Sequence, residues 1–319
     1  MFAKIAGTGS ALPERVVDNF EIARNVDTSD EWIQSRTGVR TRHIAGEETA
    51  VSLAIDASKE AIKDAGISPE EIDLVIVSTV SAEQLLPCLA CEVQAAVGAD
   101  NAAAFDVNAA CTGFITAYQI AVGQMKAGLA KTALIIGTEC LSNIVDWTDR
   151  GTCILFGDGA GAAVLKADTT CETEILPMVL HADGRKGGVL TCGSGTGNGK
   201  SAYGRYVQMD GKEIYRFAVK EVPMVIKELL SLSGWEAGDV DYFVLHQANR
   251  RIIEAIAKRL HLDESRFPMN MMDNGNMSSA SIPVLLDSMN KKGMLKPGTR
   301  LIIAGFGAGL TWGGTCLTW

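Results

Sequence analysis

The sequence predicts an α/β protein in which one strand–helix unit is used twice. Three observations carry this. Short continuous apolar runs, DLVIVST (73–79), ALIIG (133–137), DYFVLH (241–246) and LIIAG (301–305), have the length and composition of strands buried on both faces. Longer amphipathic stretches alternate with them, and several close on a glycine. The segments AGLAKTALIIGTE and KGMLKPGTRLIIAGFG share one order: a helix end, a basic turn, a buried strand and a glycine-bearing exit. Their offset, about 165–170 residues, is far longer than a solenoid period and reads as a duplication. With 319 residues, 47% of them apolar, the chain can fill one large core or two closely packed halves, here 1–170 and 171–319.

The elements follow in order. Ala3–Gly7 reads as a strand. Thr28–Glu31 has capping-box spacing and opens a short helix through Trp32 that stops at Gly38. Val51–Ala65 is an amphipathic helix closed by Gly66, and Ser68–Glu71 a turn or single helical turn. Asp73–Thr79 is a buried strand, Pro87–Val97 a helix, Ala103–Val107 a strand and Cys111–Ala127 a helix. Ala133–Gly137 is another buried strand, and Ala160–Lys166 closes the first half. In the second half, Glu213–Ser233 is a long helix, Asp241–His246 a strand and Gln247–Leu260 a helix. Met277–Asn290 is a helix, and Leu301–Gly305 and Leu310–Leu317 are strands.

Composition narrows the function. A net charge of −9 makes a poor general binder of nucleic acid, so any anionic partner needs a local basic patch. No apolar run is long enough to span a bilayer, and MFAKIAGTGSALP lacks the basic-then-apolar pattern of a secretory signal. A soluble, cytoplasmic protein is expected, with neither membrane nor nucleic acid as partner. The eight cysteines are scattered through apolar stretches, as in a reducing compartment. Cys88 and Cys91 form a C-x-x-C with no second pair at zinc-site spacing. They read as ordinary helix cysteines, and no metal site is expected.

In a duplicated α/β chain the chemistry sits at the carboxyl ends of strands and at helix N-termini. Cys111, in DVNAACTGF, follows a strand and opens a helix, where free N–H groups and the helix dipole favour a thiolate. Small neighbours let a thioester approach closely. A thiolate beside N–H donors is the equipment of acyl transfer; the plainer reading is a small buried residue. His246 ends an apolar strand ahead of Gln247 and Asn249. Asn276 lies in the polar stretch MDNGNMSSAS, where it serves as an N-cap or as an amide donor, and the sequence leaves both open. The glycine-rich Gly305–Gly314 can present backbone N–H groups to an oxyanion, or form a tight hairpin. Two motifs are set aside. Ser194–Ser201 (SGTGNGKS) has serine where a phosphate-binding loop has its first glycine and reads as a mobile loop. GTGSAL lacks the third glycine of a dinucleotide fingerprint.

Seven motifs in this order, GTGSALPERVVDN, TSDEWIQSRTGVRTRHIA, DVNAACTGF, FGDGAGAAVL, LHQANRRI, NGNMSSASIP and GFGAGLTWGG, resemble the β-ketoacyl-[acyl-carrier-protein] synthase III family of condensing enzymes. The likeness covers essentially the whole chain. A His/Asn pair, in place of a second cysteine, sets it apart from the thiolases proper; the short chain and single histidine set it apart from the elongating synthases. The resemblance implies a thiolase-like α/β fold of two duplicated halves in five layers, αβαβα, the first carrying the cysteine and the second the histidine and asparagine. It implies that Cys111 takes an acyl group from acyl-CoA. His246 and Asn276 then hold the malonyl thioester of a carrier protein while carbon dioxide leaves. Acyl-CoA is a substrate and no cofactor is needed. Backbone N–H groups of Cys111 and Ala308 would form the oxyanion hole; many relatives have glycine at the latter position. Trp32 and Arg150 would sandwich the adenine of CoA with Thr28 and Arg36 nearby, and Gly211 and Asn249 would line the pantetheine tunnel. Arg216, Gln247, Arg251, Lys258 and Arg259 would meet the acidic carrier protein. Leu86 would close the acyl pocket across the interface of a homodimer. Two other readings share the sequence: a related acyltransferase or ketosynthase of secondary metabolism, and a non-catalytic protein of the same fold.

Overall fold

The computed structural model describes residues 2–168, 176–193 and 203–319. Strand β1 (Phe2–Ala11) opens the chain. A small ribbon of β2 (Val16–Asp18) and β3 (Thr41–His43) brackets α1 (Asn19–Ile22) and α2 (Asp30–Thr37). Then come α3 (Ala50–Ala65), β4 (Leu74–Ser78), α4 (Leu89–Val97), β5 (Ala103–Val107), α5 (Gly113–Lys126), β6 (Thr132–Glu139) and β7 (Gly159–Asp168). Past these lie β8 (Met178–Ala182), the short β9 (Leu190–Thr191) and β10 (Gln208–Met209), α6 (Gly211–Ser233), β11 (Tyr242–Leu245) and α7 (Arg250–Leu260). The chain ends with α8 (Met271–Asn274), α9 (Ser281–Lys291), β12 (Arg300–Gly307) and β13 (Thr311–Thr318).

Two sheets form. One has the order β1-β7-β6-β4-β5, with β4 parallel to both β5 and β6; the other has the order β11-β12-β13-β8, with β11 parallel to β12. An offset of 168 residues separates Leu74 from Tyr242, and the same offset separates Thr132 from Arg300 and Gly113 from Ser281. The repeated unit read from the sequence is therefore a repeated strand–helix–strand arrangement.

The apolar runs explain the layering. β4 and β6 are buried along their whole length. Their side chains alternate between two cores, as a period of two requires. Val75, Val77, Leu134 and Ile136 face a cluster with α3 and α4. Ile76 and Ile135 face the opposite way, into a cluster with α5 and α9 that Val244 and Ile303 enter from the second sheet. Ile302 and Phe243 face outward onto α6 and α7. Two sheets thus enclose α5 and α9, with α3 and α4 on one outside and α6 and α7 on the other. Gly9 makes the first of these contacts possible: a Cβ there would sit 2.2 Å from the Ala57 carbonyl oxygen of α3.

Local boundaries differ from expectation where a cap competes. Helix α2 is capped by Ser29, whose side chain accepts from Trp32 N, and not by Thr28. Helix α6 starts at Gly211 because Asp210 caps it, accepting from Lys212 N and Glu213 N. Helix α7 starts at Arg250 because Asn249 caps it. Cys111 is not in α5. It lies in a single 3-10 turn, Ala110–Thr112, and α5 begins at Gly113. Likewise Ser278–Ala280 is a 3-10 turn and α9 begins at Ser281. The segment Ser194–Ser201 lies outside the described residues.

Candidate active site

The strand ends set the site. β5 delivers Cys111, and the residue before it, Ala110, takes φ +45°. Ser278, in the equivalent turn before α9, also takes φ +45°. Neither is glycine, so both turns hold a backbone conformation that surrounding structure must enforce. Thr112 ties the first turn in place, its hydroxyl 2.8 Å from Ala109 O and 2.9 Å from Thr311 Oγ1. The end of β12 lies directly against the cysteine: a Cβ on Gly307 would be 2.8 Å from Cys111 Cβ and 3.3 Å from its sulfur.

β11 delivers His246. Its backbone N–H donates to Ala304 O at 2.9 Å, extending the pairing with β12 by one residue. The ring meets Phe306 edge-on at 5.5 Å. It is buried, and its Nδ1 has no hydrogen-bond partner among the described residues. Burial pushes the imidazole down to about 3, so it is neutral at ordinary pH.

Asn276 resolves the choice between cap and donor. Its Oδ1 accepts the Ser278 N–H at 2.9 Å, a local bond of the kind asparagine makes in turns. That bond fixes the amide and leaves both Nδ2 hydrogens free to donate. The Asn276 backbone is held by Leu155 and Gly157, and the buried Arg42 braces that segment by donating to Ile154 O.

Cys111, His246 and Asn276 line one cavity of about 1220 Å³. Trp32, Arg36, Gly211 and Asn249 line it as well, and so do Arg216 and Arg251. Burial pushes the Cys111 thiol up to about 12. The 0.3–2 kcal/mol or so that a helix N-terminus offers an anion does not offset this, so the resting group is a thiol and the thiolate expected from the helix dipole is not the ground state.

Other expected residues lie elsewhere or are otherwise engaged. Arg150 is stacked on Trp32, its guanidinium carbon 4.9 Å from the ring centroid, and it donates to Asp27 O. A planar ring between them needs about 7 Å, two contacts of ~3.5 Å, so Arg150 occupies the slot assigned to adenine. Asn249 spends its side chain capping α7 and donating to Arg36 O. The buried hydroxyl of Thr28 has no partner among the described residues. Gln247 is fully buried: it donates to Leu245 O and accepts from Asn270 N, so it anchors the start of α7 and does not face a docking protein. Arg216, Arg251, Lys258 and Arg259 are exposed, although Arg216 is paired with Glu213. Leu86 is 85% exposed and lies outside the cavity of its own chain. Ala308 does not have positive φ; Gly309 takes that conformation instead, at φ +133°. Two residues by the cysteine were missed in the sequence: Ser278, whose Oγ lies 3.5 Å from Cys111 Sγ, and Glu139, buried at the end of β6. The strand-end rule that singled out Cys111 and His246 also points to Glu139.

Comparisons with known proteins bear on the family and the fold. The family model described as 3-oxoacyl-[acyl-carrier-protein (ACP)] synthase III matches residues 105–184, and the model of its C-terminal region matches 230–319. The chain is 47% identical over 321 residues to a β-ketoacyl-[acyl-carrier-protein] synthase III of Clostridium acetobutylicum, covering 99% of this chain and 98% of the relative. The solved structure of 3-oxoacyl-[acyl-carrier-protein] synthase III from Aquifex aeolicus superposes with a TM-score of 0.94 at 42% identity, over 99% of this chain and 100% of that one. The priming β-ketosynthase of the R1128 polyketide pathway superposes with a TM-score of 0.94 at 38% identity, over 99% of this chain and 96% of that one. The fold is the thiolase-like α/β fold of these enzymes. Matched by the family models in both halves and nearly half identical to a member along its whole length, the chain belongs to the 3-oxoacyl-[acyl-carrier-protein] synthase III family.

Proposed function

We propose that the protein joins an acyl group from acyl-CoA to malonyl-carrier protein by decarboxylative condensation, as a β-ketoacyl-[acyl-carrier-protein] synthase III. The observation that carries this is the meeting of Cys111, His246 and Asn276 in one cavity. Cys111 attacks the thioester, and CoA leaves. His246 and Asn276, both neutral, donate to the malonyl thioester oxygen as carbon dioxide departs. The enolate carbon then attacks the acyl-cysteine. Backbone N–H groups of Cys111 and Ala308 serve the tetrahedral oxyanion, a role that needs only an N–H. No resident cofactor enters; acyl-CoA is a substrate.

Trp32 and Arg36, at the cavity wall, suit the nucleotide end of CoA, with Arg150 swinging off Trp32 to admit the base. Arg216, Arg251, Lys258 and Arg259 suit an acidic carrier protein on a chain that is itself acidic. Among the described residues β5 is an edge of its sheet, and Leu86 stands exposed just before α4, which packs on β5, in keeping with a homodimer in which Leu86 reaches the partner's acyl pocket. Units of 1–170 and 171–319 and a cytoplasmic setting complete the reading. Among the described residues no helix is long and apolar enough to cross a membrane.

The test is mass spectrometry after incubation with acetyl-CoA: the Cys111 peptide gains one acetyl group, and its failure to do so sinks the proposal. The likeness to the priming β-ketosynthase of the R1128 polyketide pathway is in keeping with a second reading, a related ketosynthase of secondary metabolism that uses the same three residues on another primer. A panel of acyl-CoA primers tested with malonyl-carrier protein separates the two.

Two variants probe the geometry. Gly307→Ala pushes a methyl group against the nucleophile, and a displacement of that kind costs acylation about 10²-fold; single-turnover acylation rates measure it. Trp32→Ala removes the ring on which a base would stack and raises KM for acyl-CoA about tenfold, with kcat little changed, as steady-state kinetics will read.

A further inference from the structure

Among the described residues three acids are buried, Glu139, Asp158 and Asp287, and Glu139 is the one whose charge reaches Cys111. Glu139 is fully buried at the end of β6. Its Oε2 accepts from Ser81 Oγ at 2.7 Å, Val80 N at 3.0 Å and Thr79 Oγ1 at 3.3 Å. Ser279 Oγ lies 2.8 Å from Oε1, and the Ser278 hydroxyl also bonds this carboxylate. Thr79, Val80 and Ser81 donate to the carboxylate, while Ser279 shares its one hydroxyl proton between Glu139 and Ser78 O at 2.9 Å; these donors favour the anion and oppose the burial that favours the acid. Ser278 has a second neighbour: its oxygen accepts from the Cys111 thiol at 3.5 Å. The bonds run in one direction, thiol to hydroxyl to carboxylate.

We propose that Glu139 takes the Cys111 proton through the Ser278 hydroxyl as the acyl group is loaded, holds it while the acyl-enzyme stands, and returns it when condensation frees the sulfur. This rests on the reading of Cys111 as the acylated nucleophile. In loading, the S–H bond breaks and its proton joins the Ser278 oxygen, while the hydroxyl's own proton moves to Glu139. The sulfur attacks the thioester carbon, and CoA leaves as a thiolate that solvent protonates. In condensation, the enolate carbon displaces the sulfur from the acyl carbon. The thiolate so formed takes back a proton along the same path, and Glu139 is again a carboxylate.

The two candidate bases near Cys111 differ in their hold on a proton. Burial pushes His246 down to about 3, a weak holder, and keeps it neutral for its donor role. Burial pushes Glu139 up from the ordinary carboxylate range, partly opposed by its donors. Cys111, up at about 12, needs a partner that gains from accepting. The titratable groups that feel Glu139 are Cys111, from the turn before α5, and Cys140, next to it in the chain. Cys140 is raised by burial and by Asp158, Glu83, Glu139 and Glu48. The segments after β4 and before α9 present hydroxyls and a backbone N–H.

Glu139→Gln keeps the shape and loses the proton site; Ser278→Ala cuts the path and keeps the charge. The measurements are first-turnover acylation of Cys111 by acetyl-CoA across about pH 6–9 and the decarboxylation of malonyl-carrier protein. The wild-type acylation rate is expected to be flat with pH, because its base is internal. Each variant is expected to acylate about 10²-fold more slowly at neutral pH, with a rate that climbs as solvent takes over the proton. Decarboxylation should fall far less. Wild-type acylation rates in both variants, a flat variant pH profile, or equal loss in both half-reactions would overturn the relay; equal loss would mark a purely structural role. Should Glu139→Gln not fold, Ser278→Ala decides alone. Absence of any acyl adduct on wild-type Cys111 would overturn the functional reading itself, and the relay with it.

Discussion

Cys111→Ala will abolish acyl transfer from acyl-CoA while leaving decarboxylation of malonyl-carrier protein measurable. In the proposed reading the first half-reaction depends on Cys111, which lines the cavity with the backbone of β12 pressed against it. Without the sulfur only binding and the oxyanion donors remain, and losses on removing a nucleophile run to ~10⁴-fold or more. Decarboxylation asks only that the malonyl thioester oxygen be met by donors, and His246 and Asn276 are untouched. Acyl-enzyme formation by mass spectrometry and carbon dioxide release by a coupled assay separate the two. An acyl adduct on the variant, at another residue, would remove Cys111 from its role.

His246→Ala and Asn276→Ala will do the reverse, retaining acylation of Cys111 and losing condensation, each by about 10²–10³-fold. The Asn276 Oδ1 is committed to the Ser278 N–H, so the group left to face the substrate is a donor. Asn276→Asp therefore discriminates. It can keep the turn's hydrogen bond, but it turns a donor into an anion beside a developing oxyanion. It should condense no faster than the alanine variant. For His246, the direction of the shift sets the pH response. A histidine held low in the folded protein is neutral from about pH 8 down to pH 5, so its donor strength contributes no inflection there. The same depression contributes to stability with a definite sign. Above the unfolded value of 6.5 the contribution is fully present, and it is lost as pH falls toward about 3, because the unfolded chain takes up a proton the folded one refuses. Wild-type condensation in either alanine variant would mean that these side chains are not the donors.

What the sequence disclosed, and what it withheld, divides along physical lines. Val75 to Val77 and Leu134 to Ile136 announce buried strands because nothing else so apolar and so short is stable against water on neither face. Cys111 and His246 were legible because strand ends are where side chains escape the sheet. Asn276 was ambiguous because its local bond and its free amide are two ends of one group. Other features depend on neighbours distant in sequence. Ala110 and Ser278 are bent without glycine, a choice enforced by packing and invisible in composition. Gln247 looked like a surface amide because its polarity is plain, whereas its burial depends on Pro268 and Asn270. Glu139 escaped notice because a carboxylate in a buried strand end earns attention only once its hydroxyl partners, nearly 60 and 140 residues away, are seen around it.

The stack of Arg150 on Trp32 carries one more consequence. With the Arg150 guanidinium over its ring, Trp32 is already covered. Any flat guest must evict a cation held by ~0.5–1 kcal/mol, a handicap of no more than about fivefold in affinity. In the proposed reading, the Trp32 slot thus carries a weak internal competitor for whatever flat group docks on the ring.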